Sequence, residues 1–438
     1  MTSAPMASVQ IPRILLPRPE VELHKWAVIA CDQFTSEPEY WQQVAELVSD
    51  APSTYHITLP EVYLGTPDEA ERVEMIRRTM QDYLARDLFV EREGLVLVER
   101  TAGGRTRHGL MLALDLEQYD FSRGAGSLIR ATEGTILERI PPRVRIRLGA
   151  PLELPHILVL IDDPGRTVIE PLVAARQSLT SLYDFELMLG SGHLRGYCVT
   201  DRGLEGQALG ALQALSDPLS FCRKYGVEPG APVLSFAVGD GNHSLATAKT
   251  IWEGLKTQVG PDHPARYALV EIENIHDEGL EFEPILRVLF DVQKDIVGAL
   301  NGFYAGRCRW AACANPDEMI ARVEGQAGPE HAIGIITPGG CSVISVAEPP
   351  ANLPVGTIQG FLDAWGKSGG FARIDYVHGK DVALRLGTQP GNVGIYLPAI
   401  AKSAFFRTVI VDGALPRKTF SMGEANEKRF YMEARRIA

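Results

Sequence analysis

The sequence has no cysteines at metal-ligand or redox spacing. Its six, Cys31, Cys198, Cys222, Cys308, Cys313 and Cys341, are scattered without a CxxC, which excludes a zinc ribbon and a secreted disulfide framework and fits thiols kept reduced. It also has no run of about 18 apolar residues, so no membrane-spanning helix is expected. The nearest stretch, Ala332 to Val346, is broken by Pro338-Gly339-Gly340 and reads as a hairpin. The first residues lack a basic segment followed by an apolar one, and a cytoplasmic location is expected. Positive charge is short as well: 43 Lys and Arg stand against 55 Asp and Glu, a formal net charge of -12. No basic stripe is available to neutralise a phosphate backbone, so nucleic acid is not an expected partner. Absent at the appropriate context, finally, are a GxxxxGK[ST] loop, a GxGxxG after a strand, an HExxH helix and a GxSxG turn between strand and helix, which leaves the P-loop, dinucleotide-binding, metalloprotease and α/β-hydrolase readings without support.

What is present is a chain of 438 residues, 45% of them hydrophobic, enough for two packed lobes. The pattern predicts a mixed α/β (α+β) protein with mixed sheets and packed helices. A main lobe is expected over residues 12–291 and a smaller α/β lobe over 292–438, the latter ending in a charged helix that carries Arg429, Arg435 and Arg436. Trp26 to Phe34 reads as a short strand, and Ser36-Glu37-Pro38-Glu39 can open a helix after it. Met75 to Leu84 reads as a helix. Two apolar segments flanking Ala102-Gly103-Gly104 read as a hairpin. HILVLIDD reads as a buried strand ending in Asp162 and Asp163. The clearest local pattern is PVLSFAVGDGNHSLATAKTIWEGL: strand, tight turn, then a helix with Leu245, Ala248, Trp252 and Leu255 on one face.

That turn is the leading site. Gly239 and Gly241 allow a sharp bend, the amides of Asn242 to Ser244 and the helix dipole favour an anion, and Asp240 can hold a metal or accept a proton. Asn242 or Ser244 would equally serve as a plain helix cap, but a cap needs no imidazole, and His243 is there. A second segment, IRATEGTILERIPPRVRIR, concentrates Arg130, Glu133, Thr135, Arg139, Arg143, Arg145 and Arg147 in an otherwise acidic chain, and guanidinium groups clamp phosphates bidentately. The alternation of Arg143, Arg145 and Arg147 places them on one side of a strand, which is also what a solvated face looks like. GSGHLRG offers His193 as an acid, base or phosphate donor, placed between a helix end and a strand. Asp32, Glu271 and Glu273 are further strand-end carboxylates.

In the order WAVIACDQF, IRATEGTILERIPPR, YDFELMLGSGHLRGY, VGDGNHSLATAK, IENIHDEGLEFEPILR and LPRKTFSMGEA, the chain resembles the prokaryotic domain-of-unknown-function family DUF1015 over nearly its whole length. The resemblance implies roles for Glu133, Thr135 and Arg143, which match a Glu-x-Thr followed by an Arg. It implies roles too for Asp240, Gly241 and His243, which match an Asp-Gly-His-His-Arg block. Asn242 and Ser244 depart from that block, so its arginine is missing, and Leu286-Arg287 stands where a His-Arg pair is common. The block is similar to one in the ParB/sulfiredoxin-like superfamily, which includes free-serine kinases, and this implies such a core in the first lobe. The expectation is therefore a small-molecule kinase that moves phosphate from ATP or ADP, with Mg²⁺, to the hydroxyl of a free amino acid such as serine. Asp240 would hold metal or act as base, with Glu133 or Asp32 as the other candidate base. Arg139 and Arg143 would be clamps, and His243, Gly239, Gly241, Asn242, Ser244, Arg130, Thr135, His193, Arg287 and Lys418 phosphate or substrate contacts. The alternatives are a nucleotide-binding regulatory module without turnover and a metal-assisted hydrolase. The partners expected are a small substrate and a nucleotide, with a homo-oligomer open.

Overall fold

Along Leu95–Ala102 and Arg105–Asp115 the side chains alternate between two apolar cores. Val96, Val98 and Met111 enter one; Leu95, Leu97, Leu110 and Leu112 enter the other. A strand pair buried on both faces needs helices on both sides. In the computed structural model, which describes residues 8–438, helices Pro38–Val48 and Glu69–Ala85 supply Trp41, Val44, Ile76 and Met80 to the first core. Arg202–Leu215 and Asn242–Leu255 supply Leu212, Leu245, Ala248 and Trp252 to the second. The sheet between them runs in the order Thr180–Glu186, His193–Val199, Leu95–Ala102, Arg105–Asp115, Tyr267–Asn274, Leu158–Ile161, Phe236–Asp240, Ile129–Ala131, Tyr119–Asp120. It is mixed: Leu158–Ile161 is parallel to Tyr267–Asn274 and antiparallel to Phe236–Asp240. The protein is thus mixed α/β.

The chain forms two compact units, residues up to Leu280 with Gly423–Ala438, and Glu281–Met422. The second has its own antiparallel six-stranded sheet, which includes His331–Thr337, Gly340–Val346 and Val393–Tyr396, and helices such as Pro354–Lys367. The hairpin expected around Pro338-Gly339-Gly340 is one of its strand pairs. No helix among the described residues is long and apolar enough to cross a membrane.

Four local expectations are corrected. The segment from Trp26 to Phe34 holds only the two-residue strand Val28–Ile29, preceded by the short helix Leu23–Trp26. The segment before His193 is a strand, Thr180–Glu186, closed by one 3-10 turn, Met188–Gly190, and not the end of an α-helix. Arg143, Arg145 and Arg147 lie on a helix, Ile140–Arg147, with Pro141-Pro142 in its first turn, where the missing proline amides cost nothing. The charged C-terminus is not a helix. Phe430–Tyr431 pairs with Val28–Ile29 and Arg435–Arg436 with Leu152–Glu153, so residues grouped by sequence with the smaller lobe add strands to the larger unit.

Candidate functional site

The strand Phe236–Asp240 passes into the helix Asn242–Leu255 through Gly241, whose φ is +77°. A Cβ there would sit 3.0 Å from the Cα of Ile157, so both the left-handed backbone and the close approach require glycine. The turn brings Asp240 to the end of the sheet. One of its carboxylate oxygens accepts from the Gly241 amide at 2.8 Å and the other pairs with Lys428 Nζ at 3.1 Å. Burial raises the Asp240 carboxyl, but the charge and hydrogen bond of Lys428, reinforced by His156 and the Gly241 amide, hold it below the ordinary carboxylate value.

In the first helical turn, Ser244 Oγ lies 2.9 Å from Nε2 of His156, a buried residue in the loop entering Leu158–Ile161. The other ring nitrogen meets the Tyr431 hydroxyl at 2.9 Å, and that hydroxyl accepts from the Cys31 amide at 3.1 Å. The arrangement is satisfied when Nδ1 takes the tyrosine proton, which leaves Nε2 as the ring donor toward Ser244. Asp32, in the turn after Val28–Ile29, stands 3.9 Å from Nε2.

The arginine segment is brought to the same place. The Ile136 amide donates to His243 Nε2 at 3.3 Å, and Arg143 reaches Glu61 with one arm and the Arg139 carbonyl, at 2.8 Å, with the other. Glu61 is held there because its amide donates to the Cys31 carbonyl at 2.8 Å. Burial pushes the Glu61 carboxyl up against the opposing pull of Arg143. A cavity of about 140 Å³ opens between these elements, with Glu61, Arg143, His156 and Ser244 in its polar wall. Asn242 Oδ1 and Thr135 Oγ1, outside its lining, are buried without a protein hydrogen-bond partner. Glu133 is half-buried at the head of the same loop, whereas Arg139 is exposed.

Several other expected site residues have different partners. Arg130 is buried, bonded to the carbonyls of Ser127, Pro232 and Val233, and serves the fold. His193 sits between Asp184 and Glu186 at 2.5 and 2.7 Å. Its strand is five positions from Phe236–Asp240, roughly 24 Å at ordinary strand spacing, so a hydrolase centre built from His193 and His243 does not assemble. Arg287 and Lys418 belong to the second unit. Arg287 is fully buried, bonded to Gln359 at 3.3 Å and the Arg417 carbonyl at 3.1 Å; Lys418 is exposed with a φ of +55°. Asp163 binds the backbone of Thr167 and Val168, Asp162 meets His276 and Lys224, and Glu271 and Glu273 are wholly buried. Sequence reasoning missed His156, Lys428, Tyr431 and Glu61. His156 and Glu61 carry no motif, and Lys428 and Tyr431 were assigned to a helix of the other lobe.

Asn242 Oδ1, an acceptor at the helix start, fits an incoming donor, and Thr135 Oγ1 can donate or accept. Among the described residues Asp32, Glu61 and Asp240 do not form a preformed three-ligand cluster.

Residues 14–365 match the family model described as "Protein of unknown function (DUF1015)". No curated protein matches. Among solved structures the chain is similar to a conserved hypothetical protein from Pyrococcus furiosus, at 11% identity and a TM-score of 0.33, covering 74% of this chain and 90% of that one. It is also similar to a free serine kinase in complex with ADP, at 9% identity and a TM-score of 0.36, covering 71% and 86%. A third is SbnI from Staphylococcus aureus with a C-terminal truncation, at 11% identity and a TM-score of 0.35, covering 71% and 81%.

Proposed function

The chain belongs to the DUF1015 family, whose description names no reaction, and from the site itself we propose that it is a small-molecule kinase transferring a phosphoryl group from ATP or ADP to the hydroxyl of a free amino acid. The observation that carries this reading is the convergence, at one helix N-terminus, of cations, a carboxylate and an imidazole-bound hydroxyl position beside a small cavity. Phosphoryl transfer is mostly positioning and charge neutralisation. The first-turn amides and Lys428 are the donors for phosphate oxygens, with Arg143 in the adjoining cavity. His156 and Ser244 orient the acceptor hydroxyl, and Asp32 takes its proton as the new P–O bond forms and the bond to the nucleotide's leaving oxygen breaks. Asp240 would hold magnesium, which supplies charge neutralisation on the phosphates when bound.

The test is direct. Purified protein incubated with ATP or ADP, Mg²⁺ and a panel of amino acids is expected to give a phosphomonoester by phosphorus NMR, reduced at least tenfold in Asp32→Asn. No product with any donor removes the kinase reading. A second reading, nucleotide binding without turnover, is favoured by one observation: Asp240, the metal candidate, is already engaged by Lys428. Calorimetry separates them, since nucleotide binding that Asp240→Ala abolishes, without product, supports the second.

A further inference from the structure

The cavity beside the site helix has a size and lining that the reaction class alone does not specify. Its volume, about 140 Å³, is close to that of an engineered cavity that binds benzene, room for about six to eight non-hydrogen atoms. A nucleotide is several times larger than this volume. Serine and threonine, at about seven and eight such atoms, are within the limit.

Three parts of the lining bear on the ligand; a further ion pair there, Arg147 with Glu153, is closed off by Arg435. Ile57, Leu59, Leu64, Met80, Ile146 and Leu269 make an apolar wall. Glu61 and Arg143 form an ion pair facing the cavity, with both side chains mostly buried. Such a pair offers a cation and an anion side by side, which is complementary to the carboxylate and ammonium of a zwitterion: the guanidinium takes the carboxylate and the Glu61 carboxylate takes the ammonium. His156 and Ser244 form the third part, where a hydroxyl finds both a donor and an acceptor. Serine matches the two polar parts. An added methyl on the hydroxyl-bearing carbon supplies apolar surface to set against the wall.

We propose that this cavity is the acceptor subsite and that it takes a zwitterionic amino acid whose hydroxylated side chain carries a methyl group, threonine in preference to serine. The proposal rests on the phosphoryl-transfer reading for the use of the hydroxyl, but not for binding. One more buried methyl corresponds to roughly fourfold in affinity, rising toward tenfold when it also fills a gap.

Binding is measured by calorimetry on the full-length protein without nucleotide, using L-threonine, L-serine, L-valine and L-threonine methyl ester. Threonine is expected to bind about four- to tenfold more tightly than serine, and the methyl ester, which lacks the carboxylate, at least tenfold more weakly than threonine. Ile146→Thr, with its folding checked by thermal melting, is expected to bring threonine and serine to parity. Serine bound as tightly as threonine, or no amino acid bound at millimolar concentration, overturns the proposal, and neither result depends on a variant folding. The two readings fail separately. Threonine bound as described without any phosphorylated product leaves the subsite standing and removes the kinase. Equal phosphorylation of serine and threonine with equal affinities does the reverse.

Discussion

Replacing Lys428 with Met removes the cation that faces Asp240 and keeps most of the side chain's volume. The Lys428 side chain is 12% accessible and that of Asp240 26%, so the pair lies between the exposed class, worth under about 1 kcal/mol, and the buried class, where losing one partner costs about 3–5 kcal/mol; roughly 2 kcal/mol is the expected loss. For a unit of this size that corresponds to a fall of about 4 °C in Tm. The pH dependence identifies the cause. Asp240 is held below its ordinary value in the folded protein, so its contribution is present above the unfolded value, near 3.9, and is lost as pH falls through the lower folded one. In Lys428→Met the carboxyl rises, because burial now acts with less opposition. The variant's deficit should therefore be greatest at pH 7 and shrink toward pH 4. Denaturant unfolding at both pH values, with Asp240→Asn and the double variant to close the cycle, measures it. A deficit below about 0.5 kcal/mol, or one of equal size at both pH values, would refute the assignment of Lys428 as the partner of Asp240.

Three further outcomes are expected. Arg429→Met should destabilise by about 3–5 kcal/mol in urea unfolding, since Arg429 is buried and joins Glu271, Glu433 and the Pro155 carbonyl, leaving two buried carboxylates without their cation; a loss under about 1 kcal/mol would show that water reaches the cluster. Burial, opposed by Arg107 and reinforced by Glu271 and Asp277, pushes the Glu273 carboxyl up to about 7. The folded state then keeps a proton that the unfolded state releases near 4.3, so stability should fall as pH rises from about 5 to about 7, and the slope should flatten in Glu273→Gln. Gly241→Ala should cost about 1–2 kcal/mol, because the residue is left-handed and its Cβ would press on Ile157; an unchanged Tm would mean the turn is not left-handed.

The C-terminal segment explains why half of the candidate site was invisible in the sequence. Lys428, Arg429 and Tyr431 reach Asp240, Glu271 and His156, partners at separations such as 158 residues for Arg429 and 275 for Tyr431. Nothing local marks them. Its density of charge reads as a solvent-facing helix, and its extended form is set by pairing with Val28–Ile29 and Leu152–Glu153. The arginine helix failed for a different reason. A spacing of two suits a strand, but Pro141-Pro142 was the stronger signal, since prolines in sequence fit the first turn of a helix.

What the sequence by itself determined is the set of features whose physics is local. The hairpin around Gly103-Gly104, the helix opened at Pro38 and above all the turn through Gly241 follow from backbone freedom, capping and hydrophobic period within about twenty residues. The tertiary structure decided what that turn faces. It placed His156 against Ser244, Lys428 against Asp240 and Arg143 at the cavity, and it set His193 on a distant strand. Strand order fixes those distances, and it is set by which apolar faces pack together along the whole chain, a property that no single segment carries.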